Sequence, residues 1–201
     1  MIRVLLADDH GLVREGLRAI LAKGADIEVA AEAANGDEVL ALARKEEFDV
    51  ALLDLSMPGL SGIALIKRLK IERPKLRILV LSMHGEAQYA ARALKAGASG
   101  YLTKDSAASQ LLGAIRKIAA GGVHISEAAA ASLLDSRQIL SDREFEVLRL
   151  LAGGLGPTEV AAKLRLSVKT VSTHKSNIQQ KLGVSSTAEL VRYALEHKLV
   201  E

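Results

Sequence analysis

A doubly wound α/β domain followed by an all-α domain is the fold class predicted by this 201-residue sequence. Three observations predict it. The first 120 residues alternate short apolar runs with longer stretches of helical periodicity. Those apolar runs are continuous rather than alternating, which suits parallel strands covered on both faces. After Gly121-Gly122 the strand pattern disappears and only helical segments follow. The length allows one large domain or two small ones, and 49% apolar with 25% charged residues supplies enough core for either.

In chain order, strands are expected at Arg3–Ala7, Ile27–Ala31, Val50–Leu53, Ile78–Ser82 and Gly100–Thr103. Helices are expected at Leu12–Lys23, Gly36–Lys45, Gly62–Glu72, Glu86–Ala96 and Ser106–Ala120, the third showing its amphipathic spacing at Leu65, Ile66 and Leu69 ahead of Lys70 and Glu72. Five βα units give a (βα)5 sheet of order 2-1-3-4-5 over residues 1–122. Residues 123–139 read as a linker, partly helical at the Ala-rich Glu127–Leu134. Residues 140–201 read as four helices, Arg143–Ala152, Thr158–Leu164, Val168–Leu182 and Thr187–His197, with Ser141, Ser167 and Ser186 standing at N-cap positions.

Composition removes several function classes. No cysteine is present, so disulfides, thiolate zinc sites and cysteine nucleophiles are excluded. Three Tyr and two Phe are too few for base-stacking platforms. Asp8-Asp9 interrupts the apolar run that begins at Val4, and no stretch approaches the ~18 uncharged apolar residues of a membrane span, so a cytoplasmic protein is expected.

In a doubly wound sheet, function collects beyond the carboxyl ends of the strands. Asp8 and Asp9 follow the first strand, Asp54 ends the third, Ser82 ends the fourth and Lys104 follows the fifth. Three carboxylates this close repel unless a cation joins them, and oxygen-only ligands favour Mg²⁺. The set suits phosphoryl transfer to a carboxylate, with Asp54 on the central strand as nucleophile. Solvated loop carboxylates are the competing reading.

The motifs Ala7-Asp8-Asp9-His10, Asp54-Leu55-Ser56-Met57-Pro58-Gly59 with Ser61-Gly62, Ser82, and Gly97-Ala98 ahead of Gly100-Tyr101-Leu102-Thr103-Lys104 resemble the flavodoxin-like receiver domain of two-component response regulators. That resemblance implies that Asp54 accepts phosphate from a phosphohistidine on a sensor histidine kinase. It implies Mg²⁺ on Asp9, Asp54 and the Ser56 carbonyl, with Asp8 acting through water. Lys104 then pairs with the phosphoryl group, while Ser82 and Tyr101 form the switch. Ser82 stands where many relatives carry Thr, and Asp105 where many carry Pro. His10 is read as structural rather than as a phosphate relay.

The 29 residues between Glu159 and Glu189 contain no acid but hold Lys163, Arg165, Lys169, Lys175 and Lys181 plus His174, an electrostatic footprint for phosphates. In projection, Val168, Val171, Ile178 and Leu182 form a core face on Val168–Leu182. Lys169, Ser172, Thr173, Ser176 and Gln180 lie opposite, small and polar as a helix in a major groove requires. Lys175 projects near the rim and His174 between Val171 and Ile178. A merely solvated basic face is the alternative.

From Leu140-Ser141, Arg143-Glu144 and Glu146-Val147-Leu148 through Glu159-Val160-Ala161, Thr170-Val171 and Lys181-Leu182-Gly183-Val184, the segment Leu140–Val200 resembles the LuxR-type (NarL/FixJ) helix-turn-helix. The resemblance implies DNA contacts from Lys169, Thr170, Ser172, Thr173, Lys175, Ser176, Gln180 and Lys181. It also implies a last helix that pairs DNA-binding domains, and dimers on promoter half-sites of double-stranded DNA. Ser172 and Ser176 replace common basic residues, so no relative's operator carries over.

The expected function is thus a phosphorylation-switched transcription regulator that catalyses only its own phosphoryl transfer and dephosphorylation. An aspartyl-phosphate phosphatase of another α/β class needs a second acid two residues after the nucleophile, where this chain has Ser56. The remaining alternative is a regulator that binds DNA without phosphorylation.

Overall fold

The computed structural model describes residues 1–60, 62–83, 87–126, 140–196 and 199. Ser61, the expected helix start at Glu86, the Ala-rich Glu127–Leu134 and His197 lie outside the described residues. The chain divides into two compact units, Met1–Ala130 and Ala131–Glu201.

The first unit runs β1 (Ile2–Ala7), α1 (Gly11–Leu21), β2 (Ile27–Ala33), α2 (Gly36–Lys45), β3 (Val50–Asp54), α3 (Gly62–Glu72), β4 (Arg77–Ser82), α4 (Ala87–Lys95), β5 (Gly100–Thr103) and α5 (Lys104–Ala119). The sheet is parallel throughout in the order β2-β1-β3-β4-β5. Its apolar strands are buried on both faces. Val4, Leu6, Val50, Leu52, Leu79 and Leu81 pack with Leu17 and Leu21 of α1 and with Leu111, Ile115 and Ile118 of α5. The alternate residues Leu5, Ala51, Leu53, Ile78 and Val80 are equally buried, and α2, α3 and α4 contact one another in sequence. This doubly covered sheet is what continuous rather than alternating apolar runs encode.

Two boundaries shift from the expectation for identifiable reasons. The last helix of the unit begins at Lys104 rather than Ser106, because Thr103 is its N-cap and its hydroxyl accepts from the Ser106 amide. Strand β2 extends two residues to Ala33, paired with Ala7. The peptide bond between Lys104 and Asp105 is trans, as a non-proline bond prefers. Beyond α5, Tyr101 N–H donates to the His124 carbonyl and His124 N–H to the Ser99 carbonyl, so His124 forms a bridge to the edge of β5. A Cβ on Gly100 would sit 3.0 Å from that His124 carbonyl, so glycine permits the approach.

The second unit contains α6 (Asp142–Ala152), α7 (Pro157–Leu164), α8 (Val168–Leu182) and α9 (Thr187–Glu196). Ser141 and Glu144 form a reciprocal capping box on α6, Ser167 caps α8 through the Thr170 amide, and Ser186 Oγ accepts from the Glu189 amide. The core includes Leu140, Phe145, Val147, Leu148, Leu151, Val160, Val171, Ile178, Leu190 and Ala194. Val168 departs from its expected core position. It opens α8, beyond the reach of the packed face, and is 44% exposed. Arg165 ends α7 in the left-handed region at φ 53°, the turn into α8 that a glycine would adopt without strain.

Candidate functional site

The strand ends of the α/β unit bring the predicted pocket residues together. Asp8 and Asp54 are 0% and 2% exposed, and Ser82 and Tyr101 are also buried. Lys104 Nζ bridges the two acids, 2.6 Å from Asp8 Oδ2 and 3.0 Å from Asp54 Oδ2. Burial opposes the Lys104 charge, but its hydrogen bond to Asp8 and the field of Asp54 outweigh that and hold its pKa above the usual lysine value. Backbone amides take the other oxygens: His10 N–H donates to Asp8 Oδ1 at 2.9 Å and Ser56 N–H to Asp54 Oδ1 at 3.2 Å. Ser56 itself is exposed.

Asp9 is half-buried and presents Oδ1, a buried atom without a hydrogen bond. Carboxylate oxygens of Asp8, Asp9 and Asp54 and an imidazole nitrogen of His10 lie within 4.8 Å of one another. A buried, unsatisfied carboxylate oxygen beside two buried acids is a donor set that fits a divalent cation. Sequence reasoning missed two contributors. Arg14 donates to the Asp8 carbonyl at 2.6 Å, which anchors α1 beneath the pocket. Gly36 lets the loop after β3 cross α2, since a Cβ there would overlap the Leu60 carbonyl. No motif spacing signals either contact, because both arise from tertiary approach.

In the helical unit, Lys169, Ser172, Thr173, Ser176 and Gln180 are all exposed along α8, with Thr170 and Lys175 half-buried. The Ser172, Thr173 and Ser176 hydroxyls each donate to a carbonyl one turn back, at 3.0, 3.1 and 3.1 Å, leaving their acceptor lone pairs outward. Thr170 Oγ1 instead lies 2.8 Å from the capping Ser167 hydroxyl. His174 is half-buried. Lys181 is placed apart from this face: its Nζ is 2.6 Å from Oε2 of Glu144, which is 4% exposed and also accepts from the Ser141 amide. Burial would raise the Glu144 pKa, but Lys181 and the Ser141 groups hold it below the usual glutamate value.

Fold and pocket together define a receiver-type α/β domain joined to a helix-turn-helix domain. Family models agree on both halves: the response regulator receiver domain matches residues 4–116, and the luxR family of bacterial regulatory proteins matches residues 138–194. The chain is 40% identical over 216 residues to the oxygen regulatory protein NreC of Staphylococcus aureus, covering all of both chains. It is 38% identical over 204 residues to the transcriptional regulatory protein MctR of Rhizobium johnstonii, covering 99% of this chain and 95% of MctR. Among solved structures, RcsB of Salmonella enterica serovar Typhimurium, bound to a promoter in the presence of the phosphomimetic BeF3⁻, superposes with a TM-score of 0.69 at 33% identity, covering 96% of this chain and 97% of RcsB. The chain belongs to the NarL/FixJ family of DNA-binding two-component response regulators. No described helix is long and apolar enough to cross a membrane.

Proposed function

We propose that this regulator is switched by phosphorylation of Asp54, with a receiver at residues 1–122, a linker at 123–139 and a DNA reader at 140–201. The observation that carries the reading is the Lys104 ammonium shared between two buried carboxylates, Asp8 and Asp54, at the ends of β1 and β3. An Asp54 oxygen attacks the phosphorus of a kinase phosphohistidine. The new O–P bond forms as the P–N bond breaks, and the imidazole leaves with the electron pair. Lys104 is positioned to pair with the transferred phosphoryl oxygens, and the Ser82 hydroxyl closes on them with Tyr101 as the coupled switch residue. Asp9, Asp54 and the Ser56 carbonyl would hold Mg²⁺, with Asp8 acting through water, and the bound ion would supply positive charge to neutralise the phosphoryl oxygens.

The output is a homodimer on promoter half-sites, reading double-stranded DNA through the exposed face of α8 from Lys169 to Gln180. The cytoplasm is the compartment where such a kinase domain and promoter DNA are both reached. The promoter-bound RcsB structure supports the output half of this reading.

The test is incubation with acetyl phosphate or phosphoramidate and Mg²⁺, comparing wild type with Asp54→Ala. Wild type takes up one phosphoryl group and gains promoter affinity, while Asp54→Ala does neither. Equal incorporation in Asp54→Ala removes the site assignment. Wild-type DNA binding that ignores phosphorylation favours the phosphorylation-independent regulator instead.

A further inference from the structure

Three hydroxyls on the outer face of α8 have their hydrogens committed to the helix itself. Ser172 Oγ, Thr173 Oγ1 and Ser176 Oγ donate to the carbonyls of Val168, Lys169 and Ser172 at 3.0, 3.1 and 3.1 Å. A carbonyl oxygen can only accept, so the hydroxyl must supply the hydrogen in all three bonds. All three residues are exposed, and their oxygen lone pairs remain open to a partner. Donating also polarises each oxygen and strengthens it as an acceptor. Ser172 and Ser176 stand one turn apart, about 6 Å, close to two base-pair steps of about 3.4 Å. Val168–Leu182 contains no arginine, so the forked donor that reads guanine O6 and N7 is missing from this helix.

We infer that Ser172, Thr173 and Ser176 form an acceptor-only reading face, which selects amino bases (adenine or cytosine) over keto bases (guanine or thymine) at the positions it contacts. This inference rests on α8 being the reading helix of the proposed function. In the major groove, adenine N6 and cytosine N4 present amino donors, whereas guanine O6 and thymine O4 present acceptors. An amino group meets the hydroxyl lone pairs as they stand. A keto oxygen meets another acceptor, and pairing with it requires the hydroxyl to turn away from its carbonyl. Lysine at the same positions would reverse the choice, because an ammonium donates and cannot accept. Replacing basic residues by Ser172 and Ser176 therefore changes the kind of base edge that is read, in addition to removing charge.

The experiment starts from duplexes that the full-length protein, treated with acetyl phosphate and Mg²⁺, selects from a random library. Ser172→Ala, Thr173→Val and Ser176→Ala each identify a contacted base pair as the one where discrimination flattens. At that pair one exocyclic group is then deleted. Purine for adenine, or 2-pyrimidinone for cytosine, removes the amino group. The keto oxygen is removed by 2-aminopurine for guanine or 5-methyl-2-pyrimidinone for thymine. Each cost is read as the difference between wild type and the matching variant, which cancels any effect on base pairing. Amino deletion is expected to weaken wild-type binding roughly tenfold more than it weakens the variant, and keto deletion to weaken both equally. A differential loss on keto deletion, equal losses on amino deletion, or no flattened pair in any single variant overturns the acceptor assignment. A selected sequence that survives the three substitutions combined with Lys169→Ala overturns α8 as the reading helix.

Discussion

Asp8 and Asp54 are buried with Lys104 between them, whereas Lys169, Ser172, Thr173, Ser176 and Gln180 all face solvent from one helix. The two regions treat charge in opposite ways. In the pocket, folding energy holds like charges together in a dry setting, so every member feels the loss of another. On α8 each group is hydrated and independent, and acquires its importance only against a partner surface. Substitutions in the pocket should therefore be large and coupled, and those on the helix small and additive.

Lys104→Met tests that contrast most severely. It leaves two buried carboxylates without their cation, and metal-free protein should lose about 3 kcal/mol in urea unfolding of the receiver, together with phosphate uptake. A Lys104→Met protein as stable as wild type would show that the pocket is better hydrated than its burial indicates. Gly36→Ala should come next, at about 2 kcal/mol, because the new methyl must displace the Leu60 carbonyl. The displaced loop carries Ser56, so slower phosphorylation from acetyl phosphate should accompany the lost stability.

Glu144→Gln breaks the Lys181–Glu144 ion pair, which among the described residues of the helical unit is the one that resembles the pocket in its burial. A drop of roughly 2 kcal/mol is expected at neutral pH. The folded pKa of Glu144 lies below the ordinary glutamate value of 4.5, so the unfolded state binds more protons between the two values. The wild-type advantage over Glu144→Gln should therefore be complete above about pH 5 and fade as pH falls through the folded pKa. Urea denaturation of both proteins across pH 3–7 checks the sign.

The smallest effects belong to the helix surface. Lys169→Ala should weaken DNA binding uniformly and reduce the log–log salt slope by about 1. Lys181→Met should leave that slope unchanged, since its charge is already matched by Glu144. An equal loss of slope in both would place Lys181 on the phosphates after all.

The same contrast governs how much the sequence discloses. Strand-end acids are legible because a strand's termination fixes where its last side chain goes, so Asp8, Asp54 and Ser82 arrive together once the strands are recognised. The helix order, the sheet order and the three serine caps are likewise local or topological consequences. What escaped depends on approach between distant segments. Glu144 and Lys181 are 37 residues apart, and a projection of α8 alone contains no information about α6. The projection also assumed that the core reaches the first turn of α8, which the exposure of Val168 contradicts. Gly36 was invisible for the same reason, since its role is defined by a loop that crosses it from a distant part of the chain.

The short His124 bridge has a consequence outside signalling. Strand β5 is an edge of the sheet and only four residues long, and the chain's own backbone bonds to it at Ser99 and Tyr101. The opposite edge, β2, bears exposed Glu28 and Glu32. A foreign strand seeking to extend the sheet therefore meets an occupied border on one side and, on the other, charged side chains, with Glu32 paired to Arg14 and Arg18. Such protected borders are how parallel-sheet proteins resist edge-to-edge aggregation.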